Sequence, residues 1–238
     1  MVYVTSDLHG YPLDRFIGLL NKAGFGQDDF LFVLGDVIDR GSDGVALLQW
    51  MMLQDNVQLI LGNHEAMLLA CDFLFEEVTD DSLEAMSQEK LRALATWLYN
   101  GAEPTLEALR SLGQRDPGAV EAILDYLCDA PLYETVQAGG RDFLLVHSGL
   151  DNFDPDKPMG AYDVHDLLWH RPRADETWFR DVTTIIGHTP VAYFGGAPDR
   201  AFHTDTWIDI DTGAAGGGSP TLLRLDDMQE FYETKENM

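Results

Sequence analysis

Phe30-Leu31-Phe32-Val33-Leu34-Gly35-Asp36-Val37-Ile38-Asp39-Arg40-Gly41 is the stretch that decides the fold class. Five apolar residues make a run of strand length, and it ends in Gly-Asp and a turn crowded with charge. The pattern recurs on either side. The run 2–5 leads into Ser6-Asp7-Leu8-His9-Gly10, and 57–61 leads into Gly62-Asn63-His64-Glu65. Helical patterns separate the runs, one over about 12–23, opened by Pro12 and stopped by Gly24, the other over about 43–54. A βαβαβ start predicts an α/β protein with a partly parallel sheet covered by helices.

Further along, a helical stretch covers about 64–130, with breaks near Gly101 and at Asp116-Pro117-Gly118. Its apolar stripe, Leu83, Met86, Leu91, Leu94, Trp97 and Leu98, is expected to pack into a core or lid. Met67, Leu68 and Leu69 are expected to bury the helix that follows Asn63. Strand candidates return at 132–137, 143–147, 183–186, 207–210 and 221–225, while 151–162 reads as loop. Residues 1–238 are expected to form a single domain with a helical insert at about 66–130, since a chain of this length buries a sufficient core by itself.

Composition narrows the partners. The chain carries 41 acidic and 15 basic residues, a net charge of −26, and no cluster of Lys and Arg that could release counterions from a polyanion. Nucleic acid and anionic membrane are therefore not expected as partners. With 45% hydrophobic residues, the charge does not imply disorder. Cys71 and Cys128 form no CxxC motif and are expected to be buried small hydrophobes in a reducing compartment. The start Met-Val-Tyr-Val-Thr-Ser-Asp shows no secretory pattern and no run reaches membrane-span length, so the expected location is the cytoplasm.

Functional groups in α/β sheets gather at the carboxyl ends of strands. Here five such ends carry Asp, His, Asn or Arg: the three above, His147-Ser148-Gly149 after 143–146, and Gly187-His188-Thr189-Pro190 after 183–186. Carboxylates and imidazoles from five ends converge only if something offsets their crowding, and a pair of divalent cations does so. His165, His170 and His203 lie outside these motifs and are expected to be structural. The glycine-rich 213–220 lacks the Lys-Ser/Thr of a P-loop and is expected to be a turn bordering the site, with Asp211-Thr212-Gly213 supporting it.

The ordered series DLHG, GDVIDRG, GNHE, HSG and GHTP, spanning residues 7 to 190, resembles the calcineurin-like metallophosphoesterases, and within them the phosphoprotein phosphatase branch with its bacterial and phage Ser/Thr phosphatases. The resemblance implies two mixed β-sheets packed as a sandwich, flanked by helices, with a dinuclear site at one edge. It implies Asp7, His9 and Asp36 as ligands of one metal, and Asp36, Asn63, His147 and His188 as ligands of the other. Mixed oxygen and imidazole donors suit Mn, Fe, Zn, Ni or Mg, with Mn the expected pair. The implied reaction is direct attack on phosphorus by a metal-bridging hydroxide, with no phosphoenzyme. Arg40 and Arg171, in Trp169-His170-Arg171, would bind phosphoryl oxygens, with Arg173 the competing candidate. Asn63 and His64 would also meet substrate, and His64, held by Asp39, would protonate the leaving alkoxide.

The substrate expected on this resemblance is a phosphorylated protein or small phosphomonoester. A symmetrical bis(5'-nucleosyl)-tetraphosphatase is the alternative, although that branch commonly loses the second Asp of GDxxDRG, present here as Asp39. A metal-stabilised binding scaffold without turnover is the third reading. The retention of Arg40, His64 and the bridging Asp36 speaks against it.

Overall fold

The computed structural model describes residues 1–75 and 87–233. The opening runs form strands β1 (Val2–Thr5), β2 (Phe30–Leu34) and β3 (Val57–Ile60), all parallel. They are joined by helices α1 (Leu13–Ala23) and α2 (Gly44–Met52). Gly24 closes α1 in the left-handed conformation, as its position after the last periodic residue predicts. The middle of the chain supplies α3 (Asn63–Leu69), α4 (Gln88–Tyr99), α5 (Glu103–Arg115) and α6 (Pro117–Cys128), and α7 (Val164–Leu168) follows later. The breaks fall near Gly101 and at Asp116, whose side chain caps α6 by accepting from Ala119 N.

The second sheet is built on β5 (Arg141–Val146), β6 (Thr183–Ile186) and β8 (Trp207–Asp209), which are parallel, with β4 (Tyr133–Ala138) and β7 (Phe202–His203) antiparallel at its edges. In the first sheet β9 (Leu222–Arg224) pairs antiparallel with β1, and β10 (Gln229–Phe231) closes the edge. Both sheets are mixed and five-stranded.

Alternation along the strands builds the layers. Val4, Phe32, Leu34 and Ile60 from one sheet meet Phe143, Leu145, Ile185 and Ile208 from the other in a buried inter-sheet core. The intervening Tyr3, Leu31 and Val33 face outward to α1, α2, α5 and α6, while Leu144, Val146 and Trp207 face the 150–180 segment. Each such side chain removed from water stabilises the fold by ~1.5–3 kcal/mol. The two-sheet sandwich flanked by helices thus matches the expected fold class.

Two expectations fail in detail, and some short elements carry no sequence signal. Cys71 is buried, but Cys128 is exposed, because the apolar face of α6 is Val120, Ile123 and Leu127 and the next residue turns away from it. Of the helical stripe, Trp97 is buried and Leu94 is partly buried, whereas Leu91 and Leu98 are exposed; Leu83 and Met86 lie outside the described residues. The strands β7 and β10 and the helix α7 carried no pattern strong enough to be read.

Candidate metal centre

The five strand ends come together at one edge of the sandwich, and backbone contact brings them there. His9 N and Gly10 N donate to the carbonyls of Asp36 and Val37 at 2.8 and 2.7 Å, and Gly41 N donates back to His9 O at 3.0 Å. A side chain at Gly10 would strike the backbone of Gly41, and one at Gly187 would strike Ser6 and Asp7. Glycine at these positions therefore permits the approach. The turns themselves are strained. Eight non-glycine residues among those described have positive φ, and six of them are Asp7, His9, Asp36, Asp39, Arg40 and His188. Left-handed backbone at such residues costs roughly 1–2 kcal/mol each and persists only where surrounding contacts impose it.

Asp36 sits at the middle, buried, with a different cluster on each oxygen. Its Oδ1 lies 3.4 Å from His147 Nε2 and accepts from His64 N at 3.1 Å. Its Oδ2 lies 3.5 Å from His9 Nε2 and 3.8 Å from His64 Nε2. His147 Nδ1 donates to Leu34 O at 2.7 Å, so Nε2 presents a lone pair, and around it stand Asn63 Oδ1 at 2.8 Å and His188 Nδ1 at 3.2 Å. On the other side, His9 Nδ1 donates to Ile38 O at 3.1 Å and Nε2 is again a lone pair, with Asp7 Oδ1 at 3.9 Å. Asp7 Oδ1 and His188 Nε2 are buried without a hydrogen-bond partner.

Acceptors facing acceptors, with the buried Asp7 Oδ1 unpaired beside them, is the donor set a cation satisfies. Two groups meet that description: Asp36 with His147 and His188, and Asp36 with His9 and His64, their ligand atoms within 4.8 Å of one another in each group. The residues fit a pair of divalent ions sharing Asp36. The electrostatics agree. Burial pushes His9 down to about 3 and His188 to about 2 and lowers His147, so all three imidazoles are neutral ligands at pH 7. Burial, Asp211 and Asp36 raise Asp7, a crowding that a cation relieves. Burial alone would raise Asp36, but attraction to His147, His64, His9 and His188 in their charged forms outweighs it and holds Asp36 well below the usual carboxylate range.

Arg40 reaches over this cluster, its Nη1 donating to His9 Nε2 at 2.9 Å and its Nη2 to His64 Nε2 at 3.0 Å. The ring of His64 is oriented from behind by a 2.6 Å bond from Nδ1 to Asp39 Oδ2. Burial alone would lower the His64 pKa, but Asp36 and Asp39 outweigh it and raise it. Arg40, His9, His64 and Asp36, with Arg171 and Asp211, line a cavity of about 340 Å³, and Asp39 lies buried behind it. Arg171 lines that cavity, while Arg173 points away and pairs with Asp175 at 2.9 Å, which separates the two candidates.

The remaining histidines are engaged elsewhere: His170 with Glu176 at 2.9 Å, His203 with Glu230 at 2.7 Å, and His165 stacked on Trp169. The glycine-rich 213–218 segment borders a neighbouring cavity that shares Pro190 and Asp211 with this one. Sequence reading gave no role to Glu65, the last residue of GNHE. Its buried carboxylate accepts from Asp36 N at 2.8 Å, Val37 N at 2.8 Å, Ile38 N at 3.3 Å and Gly62 N at 3.1 Å, tying two of the strand ends together. Its place inside the motif was the available signal. Asn100 and Tyr193 also reach the cavity, and nothing in their local sequence marks them.

Comparison with known proteins places the arrangement. A family model described as calcineurin-like phosphoesterase matches residues 1–210. The chain is 27% identical over 241 residues to serine/threonine-protein phosphatase 1 of Salmonella typhimurium, covering 94% of this chain and 91% of that protein. It is 41% identical over 271 residues to a symmetrical bis(5'-nucleosyl)-tetraphosphatase of an Enterobacter species, covering 97% and 93%. The solved cold-active protein-tyrosine phosphatase of a Shewanella species shares the fold with a TM-score of 0.57 at 18% identity, over 98% of this chain and 80% of that one. With the family model spanning all five strand ends, the chain belongs to the calcineurin-like phosphoesterases, metal-dependent hydrolases of phosphoesters.

Proposed function

We propose that the protein is a phosphomonoesterase acting on phosphoserine and phosphothreonine in proteins. Asp7, His9 and Asp36 would hold one divalent ion, Asp36, Asn63, His147 and His188 the other, with Mn the expected metal. The observation that carries the reading is the buried Asp39–His64 pair facing the cavity. A serine or threonine alkoxide is a strongly basic leaving group that requires a proton, whereas a nucleotide departs as a stable phosphate anion and gains little from one.

When bound, the two cations supply charge neutralisation at the phosphoryl group and acidify water to near-neutral pKa. The protein's own groups do the rest. Arg40 and Arg171 fork onto phosphoryl oxygens, as planar guanidinium groups can. As Arg40 turns to the phosphoryl group, it releases His64 Nε2, which takes up a proton from water, favoured by the Asp36 and Asp39 carboxylates, and passes it to the leaving oxygen. Asp39 accepts from Nδ1 and stabilises the charged ring. Asp7 is preferred to His64 as the third group on the His9 side because its Oδ1 is buried and unpaired, while the His64 ring, turned by Asp39, is assigned to the leaving oxygen.

Arg171→Ala is expected to lower kcat/KM for p-nitrophenyl phosphate roughly 10- to 100-fold, the equivalent of one charge-assisted bond. Arg173→Ala is expected to change it less than about twofold, since its exposed pair with Asp175 contributes little. A larger loss for Arg173→Ala than for Arg171→Ala in steady-state assays would reverse the assignment, and equal losses would remove it.

The second reading, a symmetrical dinucleoside tetraphosphate hydrolase, is supported by the 41% identical relative. A panel of phosphopeptides, diadenosine tetraphosphate, a phosphodiester and small monoesters, assayed with Mn, separates the two. Phosphopeptides should exceed the tetraphosphate by more than about tenfold in kcat/KM, and the reverse preference would overturn the proposal in favour of the second reading.

A further inference from the structure

The joint between α4 and α5 holds the Asp39-Arg40 turn at three points. Trp97 Nε1 donates to Asp39 Oδ2 at 2.8 Å. Thr105 Oγ1 donates to Asp39 Oδ1 at 2.6 Å and accepts from Asp39 N at 2.9 Å, closing a small ring around that residue. Arg40 N donates to Gly101 O at 2.9 Å. Trp97, Thr105 and Asp39 are all buried.

These contacts exceed what packing requires. A valine would fill the volume of Thr105, and a phenylalanine most of that of Trp97, so what the hydroxyl and the indole N–H add is their bonds to Asp39, to its carboxylate from both and to its backbone N–H from the hydroxyl. The torsion that sets a carboxylate plane is broad and intrinsically weak, and Asp39 stands at φ 71°, outside the common backbone regions. Its oxygens therefore need external donors to stay fixed. With Oδ1 held by Thr105 and Oδ2 shared between Trp97 and His64 Nδ1, only one plane satisfies all three.

We propose that Trp97 and Thr105 are positioning residues: through Asp39 they fix the plane of the His64 ring and so aim Nε2 at the leaving-group oxygen, which makes the helical insert part of the proton-delivery apparatus. The inference rests on the general-acid reading of His64. It assigns the insert a role distinct from covering the sheet, and it predicts an effect that depends on the leaving group.

The test compares metal-loaded wild type, Thr105→Val, Thr105→Ser, Trp97→Phe and His64→Asn on an alkyl phosphate and on p-nitrophenyl phosphate. Thr105→Val should lower kcat for the alkyl ester roughly 10- to 100-fold, the usual effect of removing a group that orients a functional side chain. Its loss on p-nitrophenyl phosphate should be at least about tenfold smaller, because that anion needs no proton. Thr105→Ser should restore the alkyl rate, and Trp97→Phe should repeat the selective loss even if Thr105→Val folds poorly. In metal-free protein, the proton NMR signal of His64 Nδ1–H should move in Thr105→Val and return in Thr105→Ser. Equal losses on both substrates, or an unmoved proton signal, would overturn the positioning role. If His64→Asn itself shows no leaving-group dependence, the general-acid reading has failed; if His64→Asn does and Thr105→Val does not, the positioning inference alone has failed.

Discussion

Asp36→Asn is expected to leave the protein with no more than one of the two metal ions proposed for it and to lower kcat/KM by roughly 10³-fold or more, beyond the 10- to 100-fold typical of groups one contact removed from a metal. The reason lies in how the two carboxylate oxygens divide: Oδ1 toward His147, Oδ2 toward His9 and His64. An amide retains one oxygen and turns an N–H₂ donor toward the other cluster, where it meets lone pairs it can satisfy without any cation. The variant should therefore fold, since the replacement removes a crowded buried charge. Elemental analysis after gel filtration in Mn, with p-nitrophenyl phosphate kinetics, reads both effects. Retention of two ions per chain would refute the shared carboxylate.

His64→Asn has the second largest expected effect, and it is selective. Metal content should be unchanged, because none of the proposed ligands is lost. For an alkyl phosphate kcat should fall by roughly 10² to 10⁴, the range general acids contribute, and for p-nitrophenyl phosphate by less than about tenfold. The neighbouring Asp39 should add little once His64 is gone, so the double variant His64→Asn, Asp39→Asn should resemble the single one. Losses of equal size on both substrates would remove the acid role and leave His64 as a group that merely holds Arg40.

The contrast between these residues and their neighbours explains what the sequence disclosed. Asp7, Asp36, Asn63, His147 and His188 were legible because each follows a short apolar run, and strand ends in an α/β sheet converge by topology. Local pattern and global arrangement agree there. Trp97 and Thr105 are separated from Asp39 by 58 and 66 residues, and no period links helices that far along the chain to a turn after β2. Trp97 carried a correct core signal, being fully buried, but periodicity registers its ring and not its N–H. The choice between Arg171 and Arg173 was closed to the sequence for a related reason: both flank Pro172 in one irregular segment, and only the paths of their side chains, one to the cavity and one to Asp175, separate them. The edge strands Phe202–His203 and Gln229–Phe231 are too short to show alternation, and their pairing is imposed by the strands beside them.

The acidity of the chain takes on a narrower meaning beside this site. A net charge of −26 repels polyanions at a distance, yet the two divalent ions of the proposed centre, with Arg40 and Arg171, would reverse the sign locally. An acidic surface and a phosphate-binding centre are therefore compatible, and the surplus of carboxylates belongs to the surface rather than to the chemistry.

Titration of metal-stripped protein with Mn, following bound metal by elemental analysis and hydrolysis of p-nitrophenyl phosphate on the same samples, tests the dinuclear centre most directly. The geometry around Asp36 predicts saturation at two ions per chain, with activity rising as the second site fills. Saturation at one ion, or full activity in the stripped protein, would contradict it.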